Sequence, residues 1–447
     1  MFTFQLRRRT FAALAGGLVL TGLGVLGVLS AAPSQQPPPP ERTTPAASGL
    51  VVHEWGTFLS VQGSDGVTLG GMIDSEENLP AFVRERNLNG RNRAGLFQKM
   101  ETPVTYFYTD RPMTAEVRVE MPRGLLTHWF PAAQGFGPPQ ATAATKDKPT
   151  APGSFLDWGK VELFPDTPEY VGAKKAVTGV RPGVAAGNTW RFARETDSAL
   201  VKVSKAPVPV RPELEAEKFL FYRGLGEFDL PLSVAARGPA DDLTLSLANR
   251  GSDPLTSMFV VRVRGDALQY AQVPNLAGRG ERAVAAAATL SAWMPKKDGV
   301  RQVKQKLTAA LAAEGLYPRE ALAMTNTWEA SYFQNDGLRV LYVLPRRLVD
   351  EVIPIRIRPT PDRIERVMVG RVEVLTPTQE AELLKQVAGL QSPDEKVRGE
   401  AVAAFDRLGR LKEPTLRRLL VLSTSPEQRV QIEGLIRETV QKSLAKS

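Results

Sequence analysis

The chain has 447 residues, 43% of them hydrophobic and 23% charged, enough for two or three domains with real cores. Its net charge of +9 is a weak bias over this length, and no basic stripe with interleaved aromatics points to nucleic acid. There is no cysteine and there are only two histidines, His53 and His128, which excludes disulfides, thiol nucleophiles, iron–sulfur ligation and a three-histidine zinc site within one chain.

Residues 1–10 hold Arg7, Arg8 and Arg9 and no acid, and Phe11 to Ala32 then run uncharged and apolar. This is a basic n-region followed by an h-region. Arg8-Arg9-Thr10-Phe11 partly fits a twin-arginine export address. Ser30-Ala31-Ala32 offers a cleavage point, yet 22 apolar residues also suffice for a membrane anchor. Both fates stay open, and both place the body outside the cytoplasm, in the periplasm or on the cell surface. Gly22, Gly24 and Gly27 spell a dinucleotide-binding pattern, but inside the apolar run, where no strand precedes them. Residues 33–48 are a proline-rich spacer.

Residues 49–297 read as a β-rich domain. Val51 to Phe58 is rich in β-branched and aromatic residues, and Gly63-Ser64-Asp65-Gly66 follows as a turn. Thr102–Thr109 and Met113–Met121 read as a hairpin around Asp110-Arg111-Pro112, the second strand alternating through Ala115, Val117, Val119 and Met121. Further strands are predicted near 158–164, 189–194, 199–203, 218–223, 242–248 and 257–264. The pattern is that of an antiparallel sandwich. Residues 298–375 read as an α+β unit packed on it or continuous with it. Helices are expected from 298 to Gly315 and from Pro318 to about Phe333, then strands at 338–344, 353–358 and 364–375.

From 376 to 447 the signals are helical. Thr376-Pro377-Thr378-Gln379, Ser392-Pro393-Asp394-Glu395 and Ser425-Pro426-Glu427-Gln428 each read as a capping box with proline at the first helical position. A fourth helix starts near Pro414. The stretch from Leu390 through Ala401, Leu408-Gly409 and Pro414 to Arg418 resembles HEAT-type helical repeats, which implies contact with a protein partner.

His53-Glu54-Trp55-Gly56-Thr57-Phe58 is the most distinctive string. With Met100 to Tyr108 and Lys218 to Gly224, it resembles an uncharacterised family of exported bacterial proteins carrying this motif near the start of the mature chain. The resemblance implies location and a shared fold, and assigns no activity.

Candidate chemistry is sparse. His53 can serve as a general base, a metal ligand or a structural residue, and as strand neighbours His53 and Glu54 point to opposite faces. Glu54, Glu101, Asp110 and Asp65 are the carboxylates available for paired acid–base work, as in glycoside hydrolysis, or for a calcium or magnesium site. No cofactor is expected. Trp55, Tyr106, Tyr108, Trp129 and Trp158 would suit a sugar-stacking platform or a core, and Tyr222 and Arg223 join them as ligand-binding candidates. Arg84, Arg86, Arg91, Arg93 and Lys99 would suit an anionic polymer or a solvated loop. The favoured reading is a non-catalytic binding or scaffolding protein of the envelope, with an envelope protein or polysaccharide as partner. The alternative is a carboxylate-dependent hydrolase acting on envelope or extracellular polysaccharide.

Overall fold

The computed structural model describes residues 47–71, 79–86, 98–138, 153–167, 179–180, 182–203 and 214–446. Residues 1–46, where the leader and most of the spacer are expected, and Arg91 and Arg93 lie outside the described residues. The protein is mainly β, with several largely antiparallel sheets and a C-terminal helical segment.

The large sheet has ten strands. In order across it they are β17 (Met294–Pro295), β15 (Ala267–Val273), β14 (Thr256–Arg264), β18 (Gly337–Val343), β20 (Arg363–Val374), β1 (Leu50–Gln62), β3 (Gln98–Thr109), β11 (Leu220–Gly226), β5 (Gly124–Phe130) and β2 (Arg84–Glu85). The second sheet runs β19 (Ile355–Arg358), β4 (Met113–Met121), β7 (Ser154–Phe164), β9 (Leu200–Val203), β10 (Leu214–Glu217) and β8 (Gly179–Val180), with β6 (Gly135–Gly137) beside β7. A third sheet joins β12 (Leu232–Arg237), β13 (Thr244–Asn249) and β16 (Glu281–Ala285). Helices α1 (Trp190–Ala193), α2 (Ala286–Thr289), α3 (Lys296–Ala313), α4 (Pro318–Thr327) and α5 (Arg346–Val352) lie within the body. A π-helical turn, Ala330–Gln334, follows α4.

β1 lies at the centre and is buried along almost its whole length. Successive side chains of a strand face opposite ways. Leu50, Val52 and Phe58 therefore enter one core, shared with Ala115, Val117, Val119 and Met121 of β4 and with the third sheet. Trp55 enters the other, under α3, α4 and the π-helical turn. The order of layers is sheet, sheet, helix. β1 pairs with β20 in parallel, so the last strand of the body sits beside the first. The segment 298–375 thus contributes β18 and β20 to the interior of the same sheet that β1 and β3 occupy.

Two local expectations are corrected. The strands β3 and β4 are not a hairpin. β3 already has β1 and β11 on its two edges, while β4 pairs with β7 and β19, so Asp110-Arg111-Pro112 carries the chain from one sheet to the other. Residues 190–193, expected in a strand, form α1. Asn188 accepts a bond from the Trp190 N–H through its Oδ1, and its carbonyl accepts from Arg191, which nucleates a turn instead. The second expected helix is present, as α4 to Thr327 followed by the π-helical turn to Gln334.

The C-terminal segment has α6 (Pro377–Gly389), α7 (Glu395–Asp406), a 3-10 turn (Gly409–Leu411), α8 (Lys412–Leu422) and α9 (Pro426–Lys446) around a small core of Leu383, Val387, Phe405, Leu416, Leu419 and Ile432. Thr376 caps α6 reciprocally with Gln379. In α7 the cap is Asp394 rather than Ser392: Asp394 Oδ1 accepts from the Lys396 N–H at 2.8 Å. The segment is tied to the turn after β1: Arg418 donates to Asp65 at 2.6 Å, and Glu380, which Arg418 also bonds at 2.7 Å, accepts from the Ser64 N–H at 2.9 Å and hydroxyl at 2.6 Å. No helix among the described residues is long and apolar enough to cross a membrane.

Candidate functional site

The distinctive motif lies in the middle of β1, and its two reactive side chains are wholly enclosed: His53 and Glu54 are each 0% exposed. They point to opposite faces, as strand geometry requires.

His53 faces the helices. Its Nδ1 lies 2.7 Å from Glu320 Oε2, and its Nε2 lies 3.4 Å from the Nη2 of Arg363. A guanidinium only donates, so this pairing assigns the ring proton to Nδ1, which donates to Glu320. Glu320 sits in the first turn of α4, where the helix N-terminus favours a carboxylate. It also accepts the Tyr317 N–H at 2.8 Å and the Tyr108 hydroxyl at 2.7 Å. Tyr317 stacks on the imidazole at 4.3 Å and closes it from solvent. Burial, and next the charge of Glu320, push the Tyr108 phenol far above its ordinary pKa, so it stays a donor. His53 therefore fastens α4 to the central strand.

Glu54 faces the second sheet. It accepts from Thr105 at 2.9 Å, from Tyr222 at 2.5 Å and from Arg366 Nε at 2.6 Å. Arg366 reaches the same carboxylate through Nη2 at 2.6 Å, donates to Asp350 at 2.8 Å and to the Ile353 carbonyl at 2.8 Å. Burial is the largest single effect and disfavours the Arg366 charge, but Glu54, Tyr222 and Asp350 together outweigh it and raise its pKa above the ordinary value. Burial, and then Glu54, raise the Tyr222 phenol. This is a fully bonded interior ion pair with no room for substrate.

Gly56 is required for packing. A β-bulge interrupts the β1–β3 pairing between Trp55 and Thr57, where Val104 and Glu101 bracket Thr102 and Pro103 opposite Gly56. A Cβ there would stand 2.9 Å from the Pro103 Cα and 3.2 Å from Met368 Sδ. The bulge also explains how Pro103 is tolerated inside a sheet.

Glu101 lies opposite Thr57 on the helix side of the sheet, in a buried cluster with Lys99 (3.3 Å) and Arg410 (3.8 Å). Neighbouring β18 and β20 add Arg339, Arg371 and Glu373, with Arg339 Nε 3.1 Å from Glu373. Burial lowers the Lys99 pKa to about 8 although Glu101 opposes the shift. Burial by itself would raise the Glu101 carboxyl, but Lys99 and then the arginines hold it below its ordinary value.

The other candidates are dispersed. Glu54 and Glu101 occupy opposite faces of the sheet, and Asp110 is an exposed turn residue 3.6 Å from Arg111, so these carboxylates do not converge on a cleft. Asp65 is engaged by Arg418. Trp55 and Tyr106 are buried under the helices, Tyr222, Trp129 and Trp158 are buried between the sheets, and Arg223 is buried in the β11 bulge region. Tyr108 alone of the expected platform is partly exposed, and its hydroxyl is held by Glu320. These aromatics are core, split over two faces of one sheet. Arg84 pairs with Glu215 at 2.6 Å, and Arg86 is buried against the Leu126 carbonyl at 2.9 Å. His128 lies 3.5 Å from Glu85, its pKa lowered chiefly by burial. Among the described residues no group of three or more His, Asp or Glu side chains stands together to hold a metal ion.

Sequence reasoning missed Glu320, Arg366 and Arg363, which lie more than 260 positions from the motif they hold. Only for Glu320 was there a local signal: it stands two residues after the Pro318 that opens α4, the place of a first-turn acid. Also missed was a groove of about 820 Å³ on the outer surface of α3 and α4. Its apolar floor includes Val300, Ala309, Ala312 and Leu322, and lysines line one end.

No family model matches the chain, and no curated protein matches it. Among solved structures, a yeast delta-COP-I mu-homology domain complexed with a Dsl1 WxWxV peptide aligns at 10% identity over 74% of this chain and 98% of that one, with a TM-score of 0.25.

Proposed function

We propose that the chain is an exported, non-catalytic binding protein of the envelope, in which the His-Glu-Trp-Gly-Thr-Phe strand is the structural keel and the ligand is taken at the surface. The observation that carries this is the complete burial and pairing of His53 and Glu54, which leaves the α3–α4 groove as an accessible concavity. A hydrolytic reading needs two carboxyls facing one water-filled space, and Glu54, Glu101 and Asp110 do not share one. The basic and then apolar leader through Ala32 supports export, and mass spectrometry of the mature N-terminus tests that part. The C-terminal helices belong to the same reading, as a short HEAT-like module that meets the body where Arg418 pairs with Asp65 and Glu380 accepts from Ser64.

The test compares wild type with Glu101→Gln and Ala309→Trp. Reducing-sugar release from envelope and extracellular polysaccharides is expected to stay at background for all three. Material carried by natively purified wild type, weighed by native mass spectrometry, is expected to be lost from Ala309→Trp alone. Polysaccharide hydrolysis that vanishes in Glu101→Gln at unchanged folded stability overturns the proposal.

A further inference from the structure

The groove between α3 and α4 has two ends of different chemistry. At one end the first turns of α3 line it with Lys296, Lys297, Arg301 and Lys304. At the other end Ala309, Ala312, Pro318 and Leu322 line it without any charge, and Leu322 is 48% exposed. From Lys296 to Ala312 the helix rises roughly 24 Å, so the groove is elongated along α3.

Two of the four cations are already matched. Arg301 pairs with Asp298 at 2.9 Å, and Lys304 pairs with Glu329. Lys296 Nζ reaches only the Gln334 carbonyl, at 3.4 Å, and among the described residues neither Lys296 nor Lys297 has a carboxylate partner. Both stand in the first turn of α3, where the helix dipole disfavours cations and no side chain caps the helix. Local helix stability therefore does not account for them. A ligand that brings a negative charge to this end and apolar surface to the other does.

We infer that the groove binds a single long-chain fatty carboxylate, its head at Lys296 and Lys297 and its tail along Val300, Ala309, Ala312 and Leu322. The volume of about 820 Å³ suits one small amphiphile. The cations without a carboxylate partner among the described residues, Lys296 and Lys297, stand together at one end, which matches a head-and-tail molecule rather than an acidic helix, whose charges would spread along its length. This inference rests on the binding reading above and names its ligand.

The probe is palmitate, titrated calorimetrically into the full chain below its micellar concentration. Methyl palmitate and an acidic amphipathic peptide serve as comparators. One palmitate per chain is expected. The double variant Lys296→Glu/Lys297→Glu should weaken binding roughly tenfold or more, with a similar loss for the uncharged ester. Ala309→Trp, on the exposed side of α3, should abolish binding while the circular dichroism melt is unchanged. Palmitate binding that neither variant alters overturns the assignment of the groove. Binding of the acidic peptide without palmitate overturns the ligand class and leaves the binding reading standing. If neither probe binds and native mass spectrometry finds no groove-dependent material, both fall.

Discussion

Replacing Glu54 by Gln removes one charge from the centre of the protein and almost no volume. In the folded state the new side-chain amide would face three donors that now converge on a carboxylate: the Thr105 hydroxyl, the Tyr222 hydroxyl and the Arg366 guanidinium. Its oxygen can serve part of that set, and its NH₂ opposes the rest. Breaking a buried pair by removing one partner typically costs about 3–5 kcal/mol, because the remaining charge stays buried. Arg366 keeps Asp350 at 2.8 Å and the Ile353 carbonyl, and Asp350 is half exposed, so the lower part of that range applies, about 3 kcal/mol. The assay is urea unfolding of the body followed by tryptophan fluorescence, with the midpoint read at constant slope. The double variant Glu54→Leu/Arg366→Met should cost clearly less than the two single variants added together, since no buried charge is left alone. A Glu54→Gln protein with an unchanged midpoint refutes the structural role. A lost activity at that unchanged midpoint would move Glu54 into a reactive role and refute the reading of the whole motif.

Two further outcomes are expected. Gly56→Ala should destabilise the body by roughly 1–3 kcal/mol, because the new methyl group meets Pro103 backbone at 2.9 Å and only the Met368 side chain has freedom to yield; the same denaturation measurement checks it. Lys99 should give the stability a pH dependence of unusual sign. Its folded pKa of about 8 lies below the unfolded 10.5, so between these values the unfolded chain holds the extra proton and stability rises with pH, by up to about 3 kcal/mol. Below pH 8 the cost of burying the cation is constant. Measured from pH 7 to 10.5, wild type should gain on Lys99→Met across that window, and a flat difference contradicts it.

Much was legible locally. Alternation in Met113–Met121 gave β4 with its buried face, and Thr376, Pro377 and Gln379 gave the start of α6, because pleat and cap are set by neighbours in the chain. The opposite orientation of His53 and Glu54 followed from strand geometry alone. The partners of those side chains did not follow. Glu320 and Arg366 are ordinary surface-type residues by composition, and only the packing of α4 and the parallel pairing of β20 with β1 bring them to the motif. Asp110-Arg111-Pro112 fails as a hairpin for the same reason: a turn fixes how the chain bends, while the free edges of a sheet decide which strand it then joins. The sequence by itself therefore determined most of the elements and the absence of thiol and multi-histidine chemistry within one chain. Tertiary structure decided which polar residues are buried together and which surface stays open, since burial and charge pairing depend on contacts hundreds of residues apart.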